Sequence, residues 1–533
     1  MAGKNTHWAD EAADKIIREK GEKDVYTCAS GITPSGTVHV GNFREIISVD
    51  LVARALRAKG KRTRFIYSWD DFDVFRKVPA NMPDPAALER FLRFPITEVP
   101  DPWGRDESYA RHHEVDVERV LPEVGIYPEY LYQSQKYRAS TYAEGIRKAL
   151  EKRDALKAAL DKFRDEEHKI EGDWWPVSVF CGHCRRDETE IAGWDGAWAL
   201  SYHCTACGHT ETLDLRTAKD VKLGWRVDWP MRWAFEQVDF EPAGKDHHSQ
   251  GGSFDTSRLV CKEVYGYDAP ATFRYDFIGI KGNPGKMSSS QGKVVDLHDL
   301  LKVYTPPLVR YLFAGTRPNT EFTISFDLDV IKIYEDYDKT ERIAFGIDKA
   351  KDEADAAREK RIYALSQVEE EEIPFEGCPL PYQVPFRHFC NLIQIADGDV
   401  QKAVDALPGI RDDQKPRLLA RGERALFWID ECAPDEFRFR LRPAGAVAAN
   451  LSPNAKQAVA ALRDKVVARI ETFPDDKTCA QAIYDVAGEL GMEGKDLFRA
   501  AYQALIGKDQ GPRLASFLRS IDKERLLGIL AGY

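Results

Sequence analysis

ASGITPSGTVHVGNFRE, residues 29–45, joins a short apolar run to a long helical pattern. The run before it, DVYTC (24–28), reads as a short buried strand. After it, NFREIISVDLVARALRAKG (42–60) repeats apolar residues at helical spacing and stops at Gly60. RTRFIYSW (62–69) then reads as a second strand. Strand, helix and strand in that order predict a βαβ unit, hence a parallel sheet with helices on both faces. A plain turn at the first junction needs few special residues. This one carries Gly31, Thr33, Pro34, Ser35, Gly36 and Gly41 around a lone His39.

The rest of the chain bounds what that sheet can belong to. Its 533 residues are too many for one core and predict two to four domains. With 43% hydrophobic and 31% charged residues, the composition is that of an ordinary soluble protein. There is no apolar run of membrane-spanning length, and MAGKNTHWADEAADKIIREKGEK at the start is polar and charged. No signal peptide and no membrane are therefore expected, and the cytoplasm is the expected compartment. A net charge of −11 argues against coating DNA or RNA by bulk charge and leaves room for a local basic groove.

From about residue 95 the sheet pattern gives way to Pro-rich loops and charged helices. Strand patterns resume at ATFRYDFIGI (271–280), and beyond about 350 the pattern is helical throughout. The fold expected is α/β: a parallel sheet, interrupted by an insertion and followed by an all-α domain. The boundaries read as 1–95 and 225–295 for the core, 96–224 for the insertion, 296–350 for a helical connection and 351–533 for the last domain. VEEEEIP (368–374) reads as an exposed link.

A helix N-terminus offers unpaired backbone N–H groups and partial positive charge, which suit phosphate. Glycines let the backbone approach a ligand, and His39 can donate to charge developing on a phosphoryl group. The plain alternative is a helix cap with an incidental histidine. A second glycine-rich stretch, GIKGNPGKMSSSQGK (279–293), follows a predicted strand and carries Lys286, Met287, Ser288, Ser289 and Ser290. Such a loop can neutralise the leaving group of a triphosphate. EPAGKDHHSQGGSFDTS (241–257) adds a Gly251-Gly252-Ser253 turn ahead of a helical run, with Asp246 able to accept from ribose hydroxyls.

Taken together, TVHVGN and KMSSS resemble the HIGH and KMSKS signatures of class I aminoacyl-tRNA synthetases. Asn42 stands in place of the last histidine of the first, and Ser289 in place of the second lysine of the other. SWDDFDVFRKVP (68–79), WRVDWPMRW (225–233), EPAGKDHHSQGGSFDTS and FDLDVIKIYEDYDKTERI (326–343) narrow the resemblance to the class I lysyl-tRNA synthetases over roughly the first 345 residues. The resemblance implies a Rossmann-like parallel-sheet catalytic core with a zinc-ribbon-containing connective insertion, a small helical connection after the KMSSS loop and an α-helical anticodon-binding domain, with lysine, ATP with Mg²⁺ and tRNA(Lys) as substrates and a lysyl-adenylate intermediate. It implies catalytic roles for His39, Asn42, Lys286 and Ser288. ATP contacts would come from Pro34, Ser35, Gly36, His39, Gly41, Asn42, Asp246, Gly251, Gly252 and residues 286–290. Lysine contacts would come from Gly31, Thr33, Trp225, His247 and Tyr275. A monomer is expected.

Cys181-x-x-Cys184 and Cys204-x-x-Cys207 enclose nineteen residues, the spacing of a zinc ribbon, and predict one structural Zn²⁺ near 178–212. His183, His203 and His209 lie near enough in sequence to substitute for a thiolate. The other six cysteines read as reduced core residues. Glu45, Asp70, Asp71 and Asp228 are all candidates for the lysine ammonium. In the C-terminal half, DDQKPRLLARGERALFW (412–428) and FRFRLRP (437–443) alternate arginines with apolar and aromatic residues, a pattern suited to RNA. The rival readings are a class I synthetase for glutamate, a nucleotidyltransferase acting without tRNA, and a non-enzymatic zinc-ribbon nucleic-acid binder. The last leaves both phosphate motifs unexplained. The nucleotidyltransferase has no need of the helical half.

Overall fold

The computed structural model describes residues 7–79, 82–282, 294–370, 373–375 and 377–533. The chain divides into two units: Met1–Leu300, Pro306–Ile324 and Ile343–Gly377 form the first, and Leu301–Thr305, Ser325–Arg342 and Cys378–Tyr533 the second. Residues 296–350, read from sequence as one connection, are shared between them.

The first unit is built on a four-stranded parallel sheet. Strand β1 (Val25–Ile32) pairs with β2 (Arg62–Trp69) from Val25 opposite Arg62 to Ile32 opposite Trp69. On β1, Tyr26, Thr27, Cys28, Ala29 and Ser30 are all buried, as expected of a parallel strand covered on both faces. β2 pairs with β3 (Glu129–Tyr132), the edge strand. That strand lies within 96–224, the range expected to be inserted; four residues of mixed polarity at a sheet edge leave little periodic signal. Helix α1 (Trp8–Lys20) precedes the sheet and helix α2 (Val40–Ala58) connects β1 to β2.

The excursion after β3 is antiparallel. β4 (Val177–Val179) pairs with β8 (Val221–Leu223), while β5 (Thr189–Trp194), β6 (Ala199–Cys204) and β7 (Thr210–Asp214) form a three-stranded ribbon. The chain then returns to the parallel sheet at β9 (Val238–Phe240), which lies against β1 and completes the order β3-β2-β1-β9. ATFRYDFIGI does not form one strand. It supplies β11 (Arg274–Tyr275), parallel to β10 (Ala243–Gly244), and β12 (Ile278–Ile280), parallel to β13 (Phe322–Ile324).

The second unit is helical in its described residues. Its core gathers Val459, Leu462, Ile483, Leu497, Leu505, Leu518 and Leu526 from successive amphipathic helices. Among the described residues of the chain, no helix is long and apolar enough to cross a membrane.

Candidate active site

Two cavities open at the carboxyl ends of β1 and β2, where parallel α/β sheets bind ligands. They share Ile32, Thr33 and Trp225 as a common wall.

The smaller, of about 280 Å³, is floored by Ser30, Gly31 and Ser68 and walled by Trp225, Trp229, Trp233 and His247. Gly31 has a steric reason: a Cβ there would lie 2.7 Å from the Ser68 carbonyl oxygen on the neighbouring strand. The tryptophans sit four residues apart on the helix Trp225–Glu236 and therefore share one face. Ring centroids are 5.0 Å apart for Trp225 and Trp229 and 4.6 Å for Trp229 and Trp233, and His247 stacks on Trp225 at 5.5 Å.

The polar lining is acidic. Glu45, Asp70, Glu236 and Glu241 line the cavity together with Arg232, and Glu236 pairs with Arg64 at 2.9 Å. Both Glu241 oxygens accept indole N–H groups, from Trp229 at 2.9 Å and Trp233 at 2.7 Å. Burial pushes the Glu241 carboxyl up to about 7 against those bonds. Burial also raises Glu45, which accepts from the Tyr275 hydroxyl, Ser30 Oγ and the Gly31 N–H. Arg232 donates to Asp70 Oδ1 at 2.8 Å and pairs with Asp228 at 2.9 Å. Of the four candidate acids, Glu45 and Asp70 line this cavity. Asp71 accepts from the Ser134 N–H at 2.7 Å, and Asp228 accepts from the Tyr137 hydroxyl, so both are committed elsewhere. Tyr275 does not line the cavity; its hydroxyl donates to Glu45, which does.

The larger cavity, of about 920 Å³, is lined by Ser35, Gly36, His39 and Asn42 together with Arg76 and Lys77. His39 caps α2: its Nδ1 accepts from the Gly41 N–H at 3.1 Å. A neutral imidazole accepting at Nδ1 carries its proton on Nε2. Asn42 Oδ1 is buried, and no donor among the described residues reaches it. Thr33 donates to Asp73 at 2.7 Å, and Asp73 pairs with Lys222. Pro34 and Gly41 belong to the turn and first helical turn that carry these side chains. Asp246, Gly251 and Gly252 are placed elsewhere. Asp246 is exposed, and Gly252 closes a turn with its N–H on the Ser249 carbonyl at 2.7 Å. Neither cavity is lined by them. Lys286, Met287, Ser288, Ser289 and Ser290 lie outside the described residues.

Sequence reasoning missed Glu241, Arg232, Trp229 and Trp233. The period-four tryptophans of WRVDWPMRW are a signal for the aromatic wall. Nothing local marks Glu241.

The four cysteines Cys181, Cys184, Cys204 and Cys207 converge, with all four sulfurs within 4.8 Å of one another. Cys181 and Cys207 sulfurs are 3.6 Å apart, as are those of Cys184 and Cys204. A tetrahedral ion at about 2.3 Å from each sulfur needs sulfurs about 3.8 Å apart. The two turns are built alike: Arg185 N–H bonds the Cys181 carbonyl and Gly208 N–H the Cys204 carbonyl, both at 2.9 Å, and both donors have positive φ. The set therefore fits a tetrahedral metal without a histidine. Of the six remaining cysteines, Cys28, Cys261, Cys390 and Cys479 are buried as expected, whereas Cys432 is half-buried and Cys378 exposed. An exposed thiol has no packing role.

Residues 6–369 match the family described as tRNA synthetases class I (K). The chain is 56% identical over 533 residues to a lysine–tRNA ligase of Treponema pallidum, covering 99% of each. It is 49% identical to one of Borreliella burgdorferi, covering 99% of this chain and all of that one. Against one of Thermococcus kodakarensis it is 43% identical, covering 97% and 98%.

Proposed function

The chain belongs to the class I (K) tRNA synthetases and joins lysine to tRNA with ATP; we propose that the reaction runs through lysyl-adenylate in the two cavities at the ends of β1 and β2. The observation that carries this reading is their common wall of Ile32, Thr33 and Trp225. A carboxylate entering from one cavity and an α-phosphate held in the other meet there.

The lysine stem lies along Trp225 and His247, and its ammonium faces Glu45, Asp70 and Glu241, an aromatic and acidic setting suited to a cation. A glutamate side chain would meet Glu45, Asp70 and Glu241, while the guanidinium of Arg232 is already held by Asp70 and Asp228. ATP occupies the larger cavity, with phosphates at the N-terminus of α2. The His39 Nε2–H donates to phosphate, and the lone Asn42 Oδ1 takes a donor from the nucleotide. The lysine carboxylate attacks the α-phosphorus and pyrophosphate leaves; Lys286, with Ser288, offsets its charge. The terminal ribose hydroxyl of tRNA then attacks the acyl carbon and AMP leaves. No side chain forms a covalent bond, so catalysis is positioning and charge stabilisation.

The family uses ATP with Mg²⁺. Zinc on Cys181, Cys184, Cys204 and Cys207 would pin the ribbon and take no part in chemistry. The second unit holds the anticodon end of tRNA(Lys), and the enzyme works as a cytoplasmic monomer. The test is ATP–pyrophosphate exchange with lysine or glutamate, each with and without tRNA. Lysine-dependent exchange in the presence of tRNA is expected, and glutamate-dependent exchange would overturn the reading.

A further inference from the structure

Thr33 directly follows β1 and lines both cavities, so its placement bears on the point where they meet. Its hydroxyl donates to Asp73 Oδ2 at 2.7 Å. The other oxygen of that carboxylate pairs with the Lys222 ammonium, which also donates to the Phe72 carbonyl at 3.0 Å. Both side chains of the pair are largely buried. A carboxylate in such a place needs a countercharge, and Lys222 supplies it. Lys222 lines the larger cavity too, but its ammonium is committed to Asp73 and Phe72.

Lys222 comes from far along the chain. It stands on β8, the last strand of the antiparallel excursion, opposite Ser178 on β4. That strand is itself anchored. The Phe180 N–H donates to the Asp220 carbonyl at 2.9 Å. Arg185, in the turn that begins at Cys181, donates to both carboxylate oxygens of Asp220 at 2.7 and 3.0 Å and to both of Glu98 at 2.6 and 2.9 Å. The Phe180 ring centre lies 5.2 Å from that of Phe72. The excursion therefore grips two adjacent residues of the loop after β2: Phe72 by ring and carbonyl, Asp73 by charge. Asp73 passes that hold to Thr33.

We propose that Lys222 is a positioning residue for lysine activation: through Asp73 it fixes Thr33 at the wall shared by the two cavities. The antiparallel excursion thereby sets the geometry in which the reacting ends meet. The proposal rests on the reading of the two cavities given above. Without the Lys222 ammonium, the Asp73 carboxylate loses its countercharge and with it the reason to stay against Thr33.

The test is a double-mutant cycle on the full chain, read as lysine-dependent ATP–pyrophosphate exchange with tRNA present. Lys222→Met keeps an unbranched side chain and removes its charge. It should lower kcat/KM for lysine about tenfold, with KM for ATP held within about threefold. Thr33→Val removes the hydroxyl that Asp73 holds and should lower the same quantity by about as much. In the Thr33→Val background, Lys222→Met should cost nothing further. Multiplying losses would overturn the proposal, since general loosening of the fold is indifferent to one hydroxyl. A KM for ATP that rises in step would overturn it as well, by making Lys222 a direct phosphate contact. Full activity of Thr33→Val would overturn the proposal and leave the reading of the cavities standing. A wild-type protein without lysine-dependent exchange would overturn that reading, and this proposal with it. If Lys222→Met does not fold, Lys222→Met combined with Asp73→Asn, which leaves no unpaired carboxylate, takes its place in the cycle. That pair should cost about threefold alone and nothing beside Thr33→Val; equal losses in both backgrounds overturn the proposal.

Discussion

Glu241 shows what a single buried carboxylate does to stability. Two indole N–H bonds favour its charged form, but burial outweighs them and holds the carboxyl near 7, above its ordinary 4.5. The folded protein therefore binds this proton more tightly than the unfolded chain does. The stability that follows is fully present below about pH 4.5, is lost as pH climbs to about 7, and is level above that. A shift of this size amounts to roughly 3 kcal/mol across the window. Glu241→Gln cannot titrate there, so the unfolding free energy of variant minus wild type should rise from pH 5 to 7 and then flatten. Asp71, lifted to about 6 by burial, and Glu114, lifted to about 8 by burial and by Asp71, titrate in both proteins and cancel. Parallel pH profiles in urea titrations would refute the role. Legibility at this scale was uneven. His39 was readable because a histidine among glycines before a helix is rare chemistry. Glu241 was not, because its meaning comes from two tryptophans on another element.

At the scale of elements, the cysteine ribbon was the most legible part of the chain. Two Cys-x-x-Cys turns nineteen residues apart are a local pattern, and local geometry builds them: the same backbone bond and the same positive φ recur in each turn. Purified protein should carry about one zinc per chain. Cys181→Ser leaves three thiolates and should lose the metal, with faster proteolysis between 178 and 212. A stable wild-type protein free of zinc would refute the site. The strands were legible only where they were long. β1 and β2 bury whole faces and announce themselves, whereas β3, β11 and β12 have four, two and three residues and take their place from partners distant in sequence. No window on the sequence contains those partners.

At the scale of the whole molecule, the helical character of the last third was readable from period alone, but its membership was not. Leu301–Thr305 and Ser325–Arg342 join that unit from earlier in the chain, and one reason is electrostatic. Arg421, 5% exposed, is held by both carboxylate oxygens of Asp338 at 2.7 Å. Arg417 bonds Glu341 at 2.8 Å, and Arg424 donates to the Leu301 carbonyl at 3.2 Å. The arginines of DDQKPRLLARGERALFW that looked available to RNA are thus spent on folding the unit. FRFRLRP behaves differently. It forms no helix, and Phe439 and Leu441 point inward while Arg440 is exposed and Arg438 half-buried. Arg438 and Arg440 line a cavity of about 660 Å³ beside Asp397, Asp430 and Phe439. Phosphates neutralised there would release counterions, so binding should depend on salt. Replacing both Arg438 and Arg440 by alanine should weaken tRNA affinity and flatten the plot of log affinity against log salt by about one to two units. Aminoacylation at saturating tRNA should change little, because the proposed chemistry lies in the first unit. Arg438 also donates to the Ala433 carbonyl at 2.9 Å, so Arg440→Ala alone separates loss of a phosphate contact from loss of that internal bond. Wild-type binding by the double variant at every salt concentration would assign this stretch to packing and move the tRNA surface elsewhere in the helical unit.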